Sequence, residues 1–327
     1  NVTPQCVSDA KELAAEAVTV ELAENVPYVY VNVTLKTANH IACVVISDRH
    51  DLVTEIMLDD KVLFSDTANE RDYPDLMYAT NLGDLGDLYE FVMNVPLDKL
   101  NLIELSIEHN YKIALEGLQS DYGLMVGRIM HKTTQTTQTK NTLNPNTSSL
   151  SQMINHVVSI TAAGTDARMA GISLPVMSNS GSGNQGICAT VPVVAVAEQL
   201  DSPYENLLRA VLLSHLITIL IKRNCGRLSA MCGAIIAATG ASCGIVMLMN
   251  GDLNQIQAAF QNMFGNVTGM VCDGAKAGCA LKVATCVFAA MQSAIIALEG
   301  TAVGVRDGII ESDTGKTIDN LRRLSQE

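Results

Sequence analysis

The sequence predicts an α+β protein: an N-terminal mixed α/β unit built on an antiparallel sheet, followed by an all-helical domain. Three observations carry this. Short runs between residues 28 and 65 alternate apolar and polar side chains with a period of two. Beyond residue 150 the alternation gives way to long apolar stretches rich in Ala, Gly and Leu, whose small side chains let helices approach closely. Acidity divides in the same way: residues 1–131 hold 22 Asp+Glu against 8 Lys+Arg, and residues 132–327 hold 12 against 13. We therefore expect a mixed α/β domain at 1–131, a linker or exposed loop at 132–149, and an all-α domain carrying the chemistry at 150–327.

The elements follow in chain order. Residues 8–24 read as an amphipathic helix that gives way to a strand. Tyr28–Thr37 places Val29, Val31 and Val33 on one face of a strand. Ile41–Ser47, Leu52–Leu58 and Lys61–Ser65 are further strands, with turns at Asp48–Asp51 and Asp59–Asp60. Helices are expected near Asp84–Asn94 and Asp98–Gly117, completing one sheet with covering helices. Residues 133–149 are poor in hydrophobics and rich in Thr and Asn, as in a linker. After it, Leu150–Ala163, Ile187–Leu200, Tyr204–Arg223, Leu228–Asn250, Asn254–Phe264 and Cys279–Glu299 are expected helices.

Composition excludes several function classes. A chain of 327 residues with 48% apolar and 17% charged residues can bury a core and is not disordered. The net charge of −13, the 4% aromatic content and the absence of tryptophan argue against a nucleic-acid partner, which needs clustered cations and stacking surfaces. Cys232–Met249 is an uncharged run of 18 residues, at the lower limit for a membrane span. Its three glycines and two Ser/Thr, and the charges of Lys222, Arg223 and Lys282 in neighbouring runs, favour a buried soluble helix. Nine cysteines, an odd count in a large chain with no signal peptide, do not suit a secreted disulfide scaffold. They fit thiols in a reducing cytoplasm, as core residues or metal ligands.

Three motifs could carry chemistry. Ser178-Asn179-Ser180-Gly181-Ser182-Gly183-Asn184-Gln185-Gly186 has no apolar side chain yet leads into an apolar helix. Its backbone amides, its neutral side-chain donors and the helix N-terminus could hold a carboxylate. A solvated loop is the plain alternative, and no Gly-Lys-Ser/Thr ending marks a nucleotide phosphate site. In Gly265–Cys279, two thiols, Cys272 and Cys279, flank a turn containing Lys276, whose charge favours thiolate. Cys225 and Cys232 repeat the same spacing beside Arg227. No Cys-x₂-Cys pairs mark a structural zinc. An iron–sulfur cluster tolerates scattered thiolates, and three would leave one iron open. Cys6, Cys43, Cys188, Cys243 and Cys286 read as ordinary thiols.

The stretches DARMAG (Asp166–Gly171), LPVMSNSGSGNQG (Leu174–Gly186), RLSAMC (Arg227–Cys232) and GNVTGMVCDGAKAGCALK (Gly265–Lys282) together resemble the L-cysteine desulfidase family, which is related to the α part of iron–sulfur L-serine dehydratases. The likeness is collinear from about residue 8 to residue 323. It implies an oxygen-sensitive [4Fe–4S] cluster, no pyridoxal phosphate, and α,β-elimination of L-cysteine to sulfide, ammonia and pyruvate. By position in the motifs, Cys232 and Cys272 correspond to cluster ligands. Cys279 stands where the dehydratases have a ligand at somewhat longer spacing. The family's Gly-Cys-Thr-Glu-Pro motif does not occur in this chain, which starts at Asn1. The expectation is a fragment lacking an N-terminal portion and one cluster ligand, which puts stable cluster binding and activity of the fragment in question.

The resemblance gives each residue a candidate role. Arg168 and the loop residues Ser178, Asn179, Ser180, Ser182, Asn184 and Gln185 are candidates for holding substrate. Lys276, Lys282 and His215 are candidate bases for the Cα proton. Their plain alternatives are a capping arginine, a snorkelling lysine and a satisfied core histidine. L-Serine dehydration and a non-catalytic thiol or metal-binding module are the alternative functions. The expected partner is a small amino acid in the cytoplasm, with no nucleic acid and no membrane. The apolar helices are compatible with a homodimer.

Overall fold

A computed structural model describes residues 3–27, 29–48, 52–66, 82–138, 145–225, 229–272 and 274–326. Tyr28, most of the turn expected at Asp48–Asp51, the centre of the expected linker, Arg227 and Asp273 lie outside the described residues. The chain forms two compact units, Asn1–Tyr73 and Pro74–Glu327.

The first unit opens with helix α1 (Pro4–Ala17), whose Thr3 side chain caps the Cys6 amide and whose proline occupies the first turn. It ends earlier than the expected residue 24, because Val18-Thr19-Val20 is β-branched and extended. Strands β1 (Tyr30–Lys36), β2 (Ile41–Ser47), β3 (Val53–Leu58) and β4 (Lys61–Ser65) pair antiparallel in sequence order. The register sets Val31 against Ile46, Val33 against Val44, and Val44 against Ile56. The α+β class and the antiparallel sheet are therefore as the alternation predicts.

The second unit begins with α2 (Leu85–Asn94), capped reciprocally by Asp84 and Asp87. A short 3₁₀ turn precedes α3 (Asn101–Gln119), and α4 (Val126–Gln138) and α5 (Pro145–Met169) follow. The remaining helices are α6 (Gly183–Gln199), α7 (Tyr204–Cys225), α8 (Gly233–Leu248), α9 (Leu253–Val267), α10 (Cys279–Leu298) and α11 (Thr314–Gln326).

The compact units divide at Tyr73/Pro74, whereas the charge balance places a division at 131/132. The reason is packing. Leu85, Leu88 and Val92 recur at helical spacing and are buried in one hydrophobic core with Val157, Ile187 and Val193 of later helices. Charge describes the surface of α2–α4, but the apolar stripe decides where they pack. Helix α4 runs into the expected linker. Within it Thr133 and Thr134 hydroxyls bond back to the carbonyls of Ile129 and Met130.

Asp166 on α5 explains the start of α4. Its carboxylate accepts from the Gly127 amide at 3.0 Å and is almost fully buried. Burial holds it above the usual carboxylate range, against the pull of the Gly127, Leu124 and Val126 amides. Helices α3 and α4 press closely on α5 at Ala163. A Cβ on Gly117 would lie 2.0 Å from the Ala163 carbonyl oxygen, and one on Gly127 would lie 2.2 Å from the Ala163 nitrogen.

Helices α7 and α10 are long and apolar enough to cross a membrane by length and composition alone. In each, more than half of the apolar window is buried inside the protein.

Candidate functional site

The polar loop is built from beneath. Asn110 on α3 clamps the backbone of Met177: its amide accepts from the Met177 N–H at 2.9 Å and donates to the Met177 carbonyl at 3.1 Å. Asn179 and Ser182 then exchange two backbone hydrogen bonds of 3.1 and 3.0 Å. Between them Ser180 (φ 50°) and Gly181 (φ 84°) both take the left-handed region, as a two-residue hairpin turn requires. Ser182 caps α6 by accepting from the Gln185 amide. The helix thus starts at Gly183, not at the first apolar residue, Ile187. Asn184, Gln185 and Gly186 lie in its first turn.

His215 anchors this turn. The Asn179 side-chain amide donates to the His215 carbonyl at 3.2 Å, which orients the amide, and lies 2.9 Å from Nδ1. Nδ1 is therefore the acceptor, and Nε2 carries the proton toward Thr190 Oγ1 at 2.9 Å and Ser106 Oγ at 3.1 Å. The one lone pair of the neutral ring is taken by Asn179. Burial depresses the His215 pKa to about 4. The unfolded histidine thus binds protons that the folded one refuses. This contribution to stability is present above pH 6.5 and is lost as pH falls toward 4. The shift corresponds to about 3 kcal/mol. The melting temperature should fall through that window, and His215→Gln should flatten the slope. Equal slopes in the two proteins would contradict the buried neutral ring.

The thiols assemble on a second, separate construction. Residues 230–232 and 270–272 run antiparallel, with Met231 opposite Val271. The Cys232 amide donates to the Met270 carbonyl at 2.9 Å, and the Cys272 amide to the Ala230 carbonyl at 2.7 Å. This pairing is why α8 begins at Gly233 rather than near Leu228. Cys232 is buried, Cys279 half-buried and Cys272 exposed. Cys279 opens α10, where the Lys276 amide donates to its sulfur at 3.5 Å. Lys282 Nζ donates to the Val271 carbonyl at 2.8 Å, fastening α10 to the paired segment.

Electrostatics ties these parts into one site. Burial raises the Cys232 thiol pKa; nearby Cys272 and Cys279 raise it further, while Lys282 lowers it. Burial works against the charged form of Lys222 on α7, and Cys225, Cys272 and Cys232 act electrostatically in the opposite direction. Arg168 lies within Coulombic reach of Cys279, and its Nη1 donates to Asn184 Oδ1 at 3.1 Å. The Gln185 side chain lies over Gly233, beside Cys232: a Cβ at that glycine would sit 2.7 Å from the Gln185 carboxamide carbon. Gln185 is 4% exposed, and among the described residues its Oε1 has no hydrogen-bond partner.

The structure thus groups Arg168, Asn184 and Gln185 with Cys232, Cys272, Cys279 and Lys282. Asn179 is buried and holds the loop, Ser178 is exposed, and Ser180 and Ser182 shape the turn and cap. Lys276 is exposed in the turn before Cys279. Sequence reasoning did not find Asn110, Ser106 and Thr190, because their partners stand 25 to 109 residues away. It treated Lys222 only as a break in an apolar run.

Among the described residues, no three His, Cys, Asp or Glu side chains converge tightly enough for a single metal ion. A cluster asks for a wider set, since each thiolate binds a different iron. Cys232, Cys272 and Cys279 influence one another electrostatically, with Lys282 acting on Cys232 and Cys279 on Arg168, which suits such a wider set. Burial raises the pKa values of Cys225 (to about 11), Cys188, Cys243 and Cys286, as expected of core thiols.

The chain is similar to several known proteins. A UPF0597 protein of Oleidesulfovibrio alaskensis is 41% identical over 100% of this chain and 74% of its own length. One of Bacteroides fragilis is 40% identical over 99% of this chain and 74% of its own. Another of Clostridium perfringens is 39% identical over 100% of this chain and 74% of its own. The pattern of the serine dehydratase alpha chain matches residues 20–327, nearly the whole sequence. The chain belongs to the serine dehydratase alpha chain family, one of iron–sulfur lyases.

Proposed function

We propose that the protein is a carbon–sulfur lyase that eliminates sulfide from L-cysteine, giving pyruvate and ammonia. The observation that carries this reading is the meeting of two motifs. The thiol cradle of Cys232, Cys272 and Cys279 faces Arg168, Asn184 and Gln185, which can receive a small amino acid. The orphaned Gln185 Oε1 calls for a donor from a ligand, and the glycine at 233 lets the Gln185 side chain lie beside Cys232.

A [4Fe–4S] cluster held by these three cysteines would supply a Lewis-acidic iron toward the leaving group. The chain's own residues do the rest. Arg168, oriented by Asn184, pairs with the substrate carboxylate. Gln185 Oε1 accepts from the substrate ammonium group. A lysine, Lys282 or Lys276, removes the Cα proton as the C–S bond breaks and sulfide departs. The aminoacrylate then tautomerises and is hydrolysed to pyruvate and ammonia. His215 acts as a positioning residue beneath the loop.

Asn184→Ala removes the acceptor that orients Arg168. KM should rise about tenfold, the worth of one charged hydrogen bond, with kcat changed less. Unaltered KM and kcat would count against the loop as the carboxylate site. L-Serine dehydration is the second reading, favoured by the family match. Sulfide and pyruvate release from L-cysteine and L-serine, measured side by side, separates the two. The nine free thiols suit a reducing cytoplasm.

A further inference from the structure

We propose that the outward face of α10 is the contact of a symmetric homodimer, in which a second copy packs its own α10 antiparallel across a two-fold axis near Phe288. One side of α10 belongs to the core, where Val283, Val287 and Ala294 are buried. The opposite side is apolar as well. Leu281 is 55% exposed, Phe288 50% and Ile296 38%, with Ile295 half-buried and Thr285 and Gln292 exposed between them. Steps of three and four residues set these positions in one continuous stripe. Lys282 is the one charged residue of α10, and it is tied to the Val271 carbonyl. A helix of 20 residues with apolar side chains on both faces is the mark of a helix buried on both faces.

The stripe is complementary to itself, as a two-fold contact demands. Leu281 and Ile295 stand seven residues to either side of Phe288, about 10 Å along the helix in each direction. An antiparallel copy turned about Phe288 therefore brings Leu281 against Ile295 and Ile296, Phe288 against Phe288, and Thr285 against Gln292. Apolar meets apolar and polar meets polar. Asn266 donates to Gln292 Oε1 at 3.3 Å, so the Gln292 N–H₂ is the group that can donate to a Thr285 hydroxyl across the axis. A lipid surface would leave those two polar groups without a partner, and a charged protein would find no charge on the stripe to answer its own. The helix is about 30 Å long, the span of a standard interface that buries about 800 Å² on each partner. An aromatic side chain at its centre is the usual anchor. This inference holds whichever reaction the thiol site performs.

Sedimentation of the full chain, at concentrations up to about 100 μM, should show a dimer. Phe288→Glu sets two carboxylates against each other at the axis and should raise the dissociation constant at least about a hundredfold. Its circular dichroism should stay that of wild type, because the position is half exposed. Gln292→Arg, on the same stripe, should also break the dimer, and it decides the matter alone if Phe288→Glu does not fold. Leu102→Glu on α3, at a position 68% exposed, should leave the dimer intact. Folded, monomeric Phe288→Glu or Gln292→Arg beside a dimeric wild type and a dimeric Leu102→Glu supports the proposal. A wild type that is monomeric throughout overturns it, whether or not it floats with phosphatidylcholine vesicles. A dimer that survives Phe288→Glu and Gln292→Arg, or that Leu102→Glu breaks equally, lies on another face and also overturns it.

Discussion

Cys272→Ala should abolish both the visible absorbance of the reconstituted cluster and sulfide release from L-cysteine. The expected loss of activity is about a thousandfold or more, because several kcal/mol of Lewis-acid stabilisation leave with the iron. The fold should hardly notice. Cys272 is exposed, and its contribution to the paired segment is the bond from its backbone amide to Ala230, which alanine retains. The stability change should stay within about 0.5 kcal/mol, as for other surface substitutions. Cys243→Ala gives the contrasting result. That thiol is fully buried in α8 and bonded to the Ile256 carbonyl at 3.5 Å. Its loss should lower the melting temperature and leave iron content unchanged. Anaerobic absorbance, iron analysis and thermal melts on the two variants check the contrast. Iron and activity retained in Cys272→Ala would reject the ligand role.

Gly186→Ala should cost both stability and catalysis. An added Cβ would lie 1.8 Å from the Met177 carbonyl oxygen. That atom is backbone, and Asn110 clamps the same peptide. Neither side can yield without breaking the clamp or unseating the first turn of α6. We expect a loss above about 4 kcal/mol, which is large for one methyl. In any folded fraction, activity should fall about a hundredfold, because Asn184 and Gln185 move with the turn. Gly269 is the control: it lies before Met270 of the paired segment, and an added Cβ meets nothing within 4 Å. Gly269→Ala should melt and turn over like wild type. Equal behaviour of the two variants would show that the loop is not rigidly seated.

How far this was legible in the sequence depends on the range of each interaction. The sheet could be read because strand alternation is local: β2 and β4 end where the pattern places them. The helical class could be read from apolar runs for the same reason. Element ends were missed where a distant partner decides them. The pairing of 230–232 with 270–272 delays α8, whereas at α6 the local Ser182 cap starts the helix four residues before the apolar run. Asp166 holds the start of α4 at Gly127, and the helix then runs on into the Thr- and Gln-rich stretch that local propensity reads as linker. Charge balance and packing divide the chain at different places, because charge reports surface, whereas Leu85, Leu88 and Val92 report packing.

The site divides in the same way. Its thiols and polar loop stand in contiguous motifs, so they were visible. Their convergence was not, since it requires α5, α6, α7 and α10 to meet around one short bridge. Asn110 and Lys222 are single polar residues within helical stretches, and spacing gives them no signature. The partial signal for Lys222 was a charge directly after the apolar run Leu216–Ile221.

We propose above all that Cys232, Cys272 and Cys279 together hold an iron–sulfur cluster. Iron and acid-labile sulfide per chain, measured after anaerobic reconstitution of wild type and of each single alanine variant, tests it most directly. About four of each per wild-type chain are expected, with loss of both in all three variants. Wild-type iron no higher than in the variants, or full turnover of L-cysteine by iron-free protein, would contradict it.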